Sequence, residues 1–176
     1  NLSWPTPHAI NSCGDVLVSS PDEPQSLEQI ARIRRDYVDS VRLNNFEGGI
    51  HRLLTELYPD NAHFIYELLQ NAEDAGATEC VFSLSESALV FEHNGTRLFS
   101  LVDVDAITSI AASSKADDAT AIGKFGVGFK AVFAYTASPE VRSGEFAFRI
   151  TDLVIPEPIG SGRSSGTNFR FPFNHP

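Results

Sequence analysis

The chain has 176 residues, 42% of them hydrophobic and 13 of them Phe, enough for one substantial core, so a single compact domain is the default. Its 13 basic and 23 acidic residues leave a net charge of −10 with no basic stripe, which disfavours direct nucleic-acid binding, because phosphate neutralisation needs clustered Lys and Arg. No apolar run approaches the roughly 20 residues of a membrane span, and Cys13 and Cys80 stand alone, indicating neither a zinc site nor a disulfide framework and fitting a reducing, intracellular and cytoplasmic setting.

Residues 1–24 carry Pro5, Pro7, Pro21 and Pro24 and read as an extended lead-in or strap before a domain over 25–176. Ser26 can cap a helix in which Leu27, Ile30, Ile33, Tyr37, Val38 and Val41 follow a helical period, with the Arg34-Arg35 pair on a solvated face and Asn44-Asn45 at its end. A short helix over Ile50–Leu57 follows, and then Asn61 can cap the helix that carries the most chemistry. In its ELLQNAEDAGA stretch, Glu67, Asn71 and Asp74 fall at i, i+4 and i+7, within an arc of roughly 60°. Phe64, Ile65, Leu68, Leu69 and Ala72 form the apolar flank, and Gly76 stops the helix in the left-handed conformation that glycine adopts most cheaply. Such a helix either holds an acid, an amide and a second acid over a cleft or presents an ordinary solvated face.

Thr78–Leu84 and Ala88–His93 predict a hairpin, with Leu89, Phe91 and His93 on the packed face. Ser100 and Asp103 have capping-box spacing, and the apolar repeat predicts a helix to about Ala112, followed by a loop over Ser113–Thr120. Glu145–Ile155 and Thr167–Phe173 predict strands around a loop over Pro156–Gly166. The ending at Pro176 and the absence of Met are expected of a fragment of a larger protein.

Gly123-Lys124-Phe125-Gly126-Val127-Gly128-Phe129 precedes a stretch, Lys130–Tyr135, that looks helical. Closely spaced glycines let backbone N–H groups approach an anion, and a helix starting there adds about 0.3–1 kcal/mol per charge. Phe125 stands where a Walker A loop has Ser or Thr, and the spacing is not that of a dinucleotide fingerprint. Glycines needed for tight packing are the other reading.

Taken together, ELLQNAEDA and IGKFGVGFKAVF resemble the N box and glycine box of the GHKL superfamily of ATP-binding domains, which includes heat-shock chaperones, gyrase B subunits, MutL proteins and histidine kinases. The resemblance spans roughly residues 50–171, and with HNG and SSK between the boxes the wording is most similar to domains of the sacsin and NO VEIN type. It implies an α+β Bergerat fold, a two-layer sandwich in which a mixed, mostly antiparallel sheet is covered on one face by helices. By the same resemblance, Glu67 is the general base, Asn71 lends its oxygen to magnesium, and Asp74 with Ala75 lies near the nucleotide. Gly123, Lys124, Phe125, Gly126, Val127, Gly128 and Phe129 wrap the phosphates, Lys115 reaches the terminal phosphate from a lid, and Thr167 supports the adenine pocket. ATP and Mg2+ are the implied ligands, downstream domains of the same polypeptide the implied partners, and an ATP-dependent homodimer a further possibility.

The sequence departs from the family's D-x-G-x-G, having His93-Asn94-Gly95-Thr96-Arg97. A neutral imidazole accepts a hydrogen bond through one ring nitrogen, so His93 either reads the adenine amino group, losing affinity below about pH 6.5, or is a core histidine. Glu67 favours a magnesium-dependent ATPase driving conformational change in a larger chaperone-like or nucleic-acid-associated protein. The altered adenine site keeps open a degenerate scaffold or nucleotide sensor without turnover.

Overall fold

Ser26 fixes the start of the first helix, α1 (Leu27–Leu43), its Oγ accepting the Gln29 N–H at 3.2 Å, as the sequence predicts. The computed structural model describes residues 24–44, 63–109, 128–160 and 163–174; the expected helix over 50–57 and the Asn61 cap lie outside them. Only Ile30 and Ala31 of α1 are buried, so its apolar stripe is narrower than the period implies, and Ile33 and Tyr37 are exposed. Arg34, expected on a solvated face, instead turns inward and binds the Asp105 carboxylate at 2.7 Å, linking α1 to the third helix.

The second helix, α2 (His63–Asp74), ends as Gly76 takes φ +71°. The Gly76 N–H reaches the Glu73 carbonyl and the Ala77 N–H the Ala72 carbonyl, the paired bonds of a Schellman cap. The chain then enters the hairpin of β1 (Cys80–Leu84) and β2 (Ala88–His93), in register Cys80↔His93 to Leu84↔Leu89. Helix α3 (Leu101–Thr108) opens with the predicted capping box, but it stops at Thr108 rather than near Ala112, because Ser109 is already extended at ψ 145°. After residue 127 come a 3-10 helix (Gly128–Ala134), β3 (Glu140–Gly144), β4 (Phe146–Thr151), β5 (Ile155–Pro158) and β6 (Ser164–Pro172).

Among the described residues the six strands form one sheet in the order β1-β2-β6-β3-β4-β5, and each pairing there is antiparallel, where a mixed sheet was expected. The short connections explain the last three strands: Glu145 alone joins β3 to β4, and Asp152–Val154 join β4 to β5, too little chain for a parallel crossover. The single strand expected over Glu145–Ile155 is therefore two, broken where Asp152 and Leu153 take φ +47° and +69°. Pro156 and Pro158, expected in a loop, lie in β5, an edge strand where a missing N–H breaks no ladder bond.

Phe91, Val141, Phe148, Phe169 and Phe171 of the sheet share one core cluster with Ile30, Phe64, Leu68, Val104, Ile107, Phe129 and Val132 of the helical elements. The alternate strand positions carry cross-strand charges on the other side, with Arg170–Glu140 at 3.3 Å and Arg149–Glu157 at 3.1 Å. The fold is thus α+β, a six-stranded antiparallel sheet with helices. Among the described residues no helix is long and apolar enough to cross a membrane.

Candidate functional site

Along α2, Phe64, Leu68 and Ala72 are buried, as expected, while Leu69 is 42% exposed and lies outside the stripe. The three polar residues grade from inside to outside: Asn71 is buried, Glu67 is half-buried and Asp74 is exposed. The Nδ2 of Asn71 has no hydrogen-bond partner among the described residues. An unpaired buried amide costs about 1–3 kcal/mol, so such a group calls for an explanation.

The segment after β2 is fastened to the end of α2. Asn94 Oδ1 accepts the N–H groups of Thr78 and Glu79 at 2.9 and 3.0 Å, and the Arg97 N–H reaches the Ala75 carbonyl at 3.2 Å. Between them Gly95 approaches so closely that a Cβ would stand 2.7 Å from the Ala75 Cβ and 2.9 Å from the Ala75 carbonyl oxygen. Gly95 is therefore required for packing, and its N–H donates to His93 Nδ1 at 3.1 Å. That bond fixes the imidazole. With Nδ1 accepting, the ring is neutral and its proton resides on Nε2, so the free acceptor needed to read an adenine amino group is already used. Burial also lowers the His93 pKa below its ordinary 6.5, reinforcing the neutral form and moving the expected pH midpoint down.

His93 pairs across strands with Thr167, and Thr167 with Ser143. The two hydroxyls lie 2.7 Å apart, and Ser143 Oγ accepts the Phe99 N–H at 3.0 Å. Opposite them, Asp103 accepts Ser100 N–H and Oγ–H on one oxygen and Arg97 on the other, the latter at 3.0 Å. Asn71, Ala75, His93, Arg97, Asp103 and Thr167 enclose a cavity of ≈ 10 Å³. That is room for about one water molecule, not for a purine. His93 and Thr167 also form the wall of an adjoining groove of ≈ 300 Å³, which runs past Glu79, Glu92 and residues 164–168.

The fold thus brings together four residues that the sequence proposes from distant positions: Asn71, Ala75, His93 and Thr167. Gly95 supports them through its backbone. Phe129, expected at the phosphates, places its ring in the core, 5.9 Å from Phe169, which leaves only its backbone for a ligand. Gly128 opens a seven-residue 3-10 helix rather than an α-helix, so the expected dipole contribution at that point is not supported. Lys115, Gly123, Lys124, Phe125, Gly126 and Val127 lie outside the described residues. Ser143 is not signalled by the sequence, because Glu140–Gly144 shows no clear apolar alternation, whereas Arg97 stands where the family pattern has its second glycine and could close the pocket.

Residues 85–156 match the Sacsin domain family. That span holds His93, Gly95, Asp103 and Ser143, with Asn71 and Thr167 on either side. The chain is 36% identical over 102 residues to Protein NO VEIN of Arabidopsis thaliana, a match covering 55% of this chain and 4% of that protein. It is also 36% identical over 104 residues to Sacsin of Homo sapiens, covering 50% of this chain and 2% of that protein. The sequence is therefore similar to the sacsin and NO VEIN type. Among solved structures, the N-terminal domain of a DNA repair protein superposes with a TM-score of 0.52 at 12% identity, covering 72% of this chain and 40% of that one, a likeness of fold alone.

Proposed function

We propose that this domain, of the GHKL superfamily and its two-layer Bergerat sandwich, binds ATP with magnesium and hydrolyses it to drive conformational change in a larger, chaperone-like protein. The observation that carries this reading is the buried Asn71 amide without a partner, on the helix with N-box wording and beside the His93–Thr167 end of the sheet. A ligand that takes up that amide would relieve its desolvation cost. Downstream domains of the same polypeptide and a second copy of the chain are the proposed partners.

The residues are suited in kind to the ligands. No three His, Cys, Asp or Glu side chains converge among the described residues, so a magnesium ion would draw most of its oxygen ligands from phosphate and water, with Asn71 the protein's contribution. Bound there, the ion would neutralise phosphate charge. Glu67, one turn before Asn71 and half-buried, would on this reading take a proton from water. The volume fits less well, since a purine enters only if the Arg97–Asp103 side yields. Arg97 is 54% exposed, and an ion pair of that kind contributes about 0–1 kcal/mol, a small barrier to such movement.

That same closure favours a second reading, a degenerate scaffold or nucleotide sensor in which Arg97 has replaced a glycine and filled the pocket. Glu67→Ala separates the two. For an ATPase, the substitution keeps ATP binding and lowers turnover by about 100-fold or more, the usual worth of a general base. Wild-type protein that binds ATP in the assembled full-length chain yet shows no turnover above the Glu67→Ala background would leave the sensor reading in place.

A further inference from the structure

We propose that β1 is a docking edge for an extended peptide with apolar side chains on one face and basic ones on the other, which joins the sheet as a further strand. This goes beyond the nucleotide reading and does not depend on it.

The two edges of the sheet differ in kind. β5 carries Pro156 and Pro158, pairs Glu157 with Arg149 and packs against α1, all devices that keep another chain from pairing there. β1, Cys-Val-Phe-Ser-Leu, has no proline, no charge and no bulge, and all five of its residues are exposed, Leu84 at 76%. Its backbone groups divide between two directions. The Asn94 N–H reaches the Glu79 carbonyl and the Ser85 N–H the Ala88 carbonyl, so the odd-numbered residues from 79 to 85 spend their backbone groups on β2. Cys80, Phe82 and Leu84 therefore turn their N–H and C=O groups outward, where no strand lies beside them among the described residues.

The two faces of the strand set the chemistry of the partner. Phe82 lies on the helix-bearing side, its ring 4.4 Å from that of Phe91, and Leu84 shares that side, so a strand laid alongside meets apolar surface there. Val81 lies on the opposite side and lines the groove of ≈ 300 Å³ together with Glu79 and Glu92. Glu92 accepts from the Asn168 amide at 2.7 Å, and neither carboxylate has a cationic partner among the described residues. Alternate residues of an added strand thus face apolar side chains and acids in turn, which selects alternating apolar and basic residues, while the ladder bonds supply affinity. The same edge of a second copy carries no basic residue and would leave both acids unpaired.

The test is fluorescence anisotropy of the 176-residue chain at low salt with two labelled heptapeptides, one alternating Val and Lys and the other Val and Glu. The Val-Lys peptide is expected to bind at least about tenfold more tightly. Leu84→Pro removes an outward N–H without changing the net charge, and is expected to weaken that binding by about tenfold, whereas plain attraction to an acidic protein would survive it. Glu79→Lys combined with Glu92→Lys leaves the ladder intact and is expected to reverse the preference between the peptides. Equal binding of both peptides, binding of neither, or binding unchanged in a folded Leu84→Pro variant overturns the proposal. A preference that the double charge reversal leaves in place overturns it too, whether or not Leu84→Pro folds. So does self-association of the chain that Leu84→Pro abolishes, which would assign the edge to a second copy.

Discussion

Asn71 is expensive where it stands, a carboxamide in a helix interior with Nδ2 buried and unpaired. Replacing it with Leu removes the unsatisfied donor and supplies a better helix former, so Asn71→Leu is expected to raise stability by about 1 kcal/mol, or about 2–4 °C in Tm at this chain length. A lower Tm would show that the amide is satisfied after all and has a structural role. Lys130 is another buried polar group, and no local pattern announces it. Its Nζ donates to the Ile107 and Leu153 carbonyls at 2.8 and 2.7 Å, tying the last turn of α3 to the β4–β5 turn. Desolvation first, and then the Arg34 guanidinium, lower its pKa to about 7. Between pH 7 and 10.5 the unfolded chain thus binds more protons than the native one, and stability rises with pH, by up to about 1.4 kcal/mol per pH unit. Urea unfolding at pH 7 and pH 9 should show this rise in the wild type and lose it in Lys130→Met; equal slopes would refute the assignment. Residue types at the candidate site were legible because their spacing on α2 is geometric. The His93 tautomer was not, since it depends on how closely Gly95 approaches Ala75, a tertiary contact that no local pattern encodes.

At the scale of elements, caps and hairpins could be read from the sequence. Ser26, Ser100 with Asp103, and Gly76 each act locally, and the structure shows each in that role. Strands β3 and β5 escaped notice for opposite reasons. The first is polar and short, held in place by neighbours on both sides, and the second contains two prolines that only its edge position permits. The Gly95 segment is the joint between α2 and the sheet, where a Cβ has no room, so Gly95→Ala is expected to cost about 1–3 kcal/mol. Because the same substitution displaces the N–H that holds His93, it should also weaken nucleotide binding. An unchanged melting temperature would mean that the segment is not packed against Ala75 as the structure has it.

For the molecule as a whole, the phenylalanine-rich core explains why one face of the sheet carries the helices and the other is laced with ion pairs that contribute little individually. This arrangement leaves the Asn71–His93–Thr167 corner at the end of β2 as the place where buried polar groups collect. The chain spans 4% of NO VEIN and 2% of Sacsin, so the activity of any larger assembly belongs to the proposals. The α+β class was what the motif resemblance implied, while composition and alternation indicated only one core built of both helices and strands. The wholly antiparallel sheet was not, because connection lengths emerge only once β3 and β5 are known. On the proposed reading the Asn71 amide is kept, despite its cost, for a nucleotide. Calorimetry of the 176-residue chain with ATP and magnesium tests it most directly, with Asn71→Leu as the comparison. Saturable binding by the wild type is expected, and none by a variant that remains folded and melts higher; absence of binding at millimolar ATP, or equal binding by both proteins, would overturn the nucleotide reading.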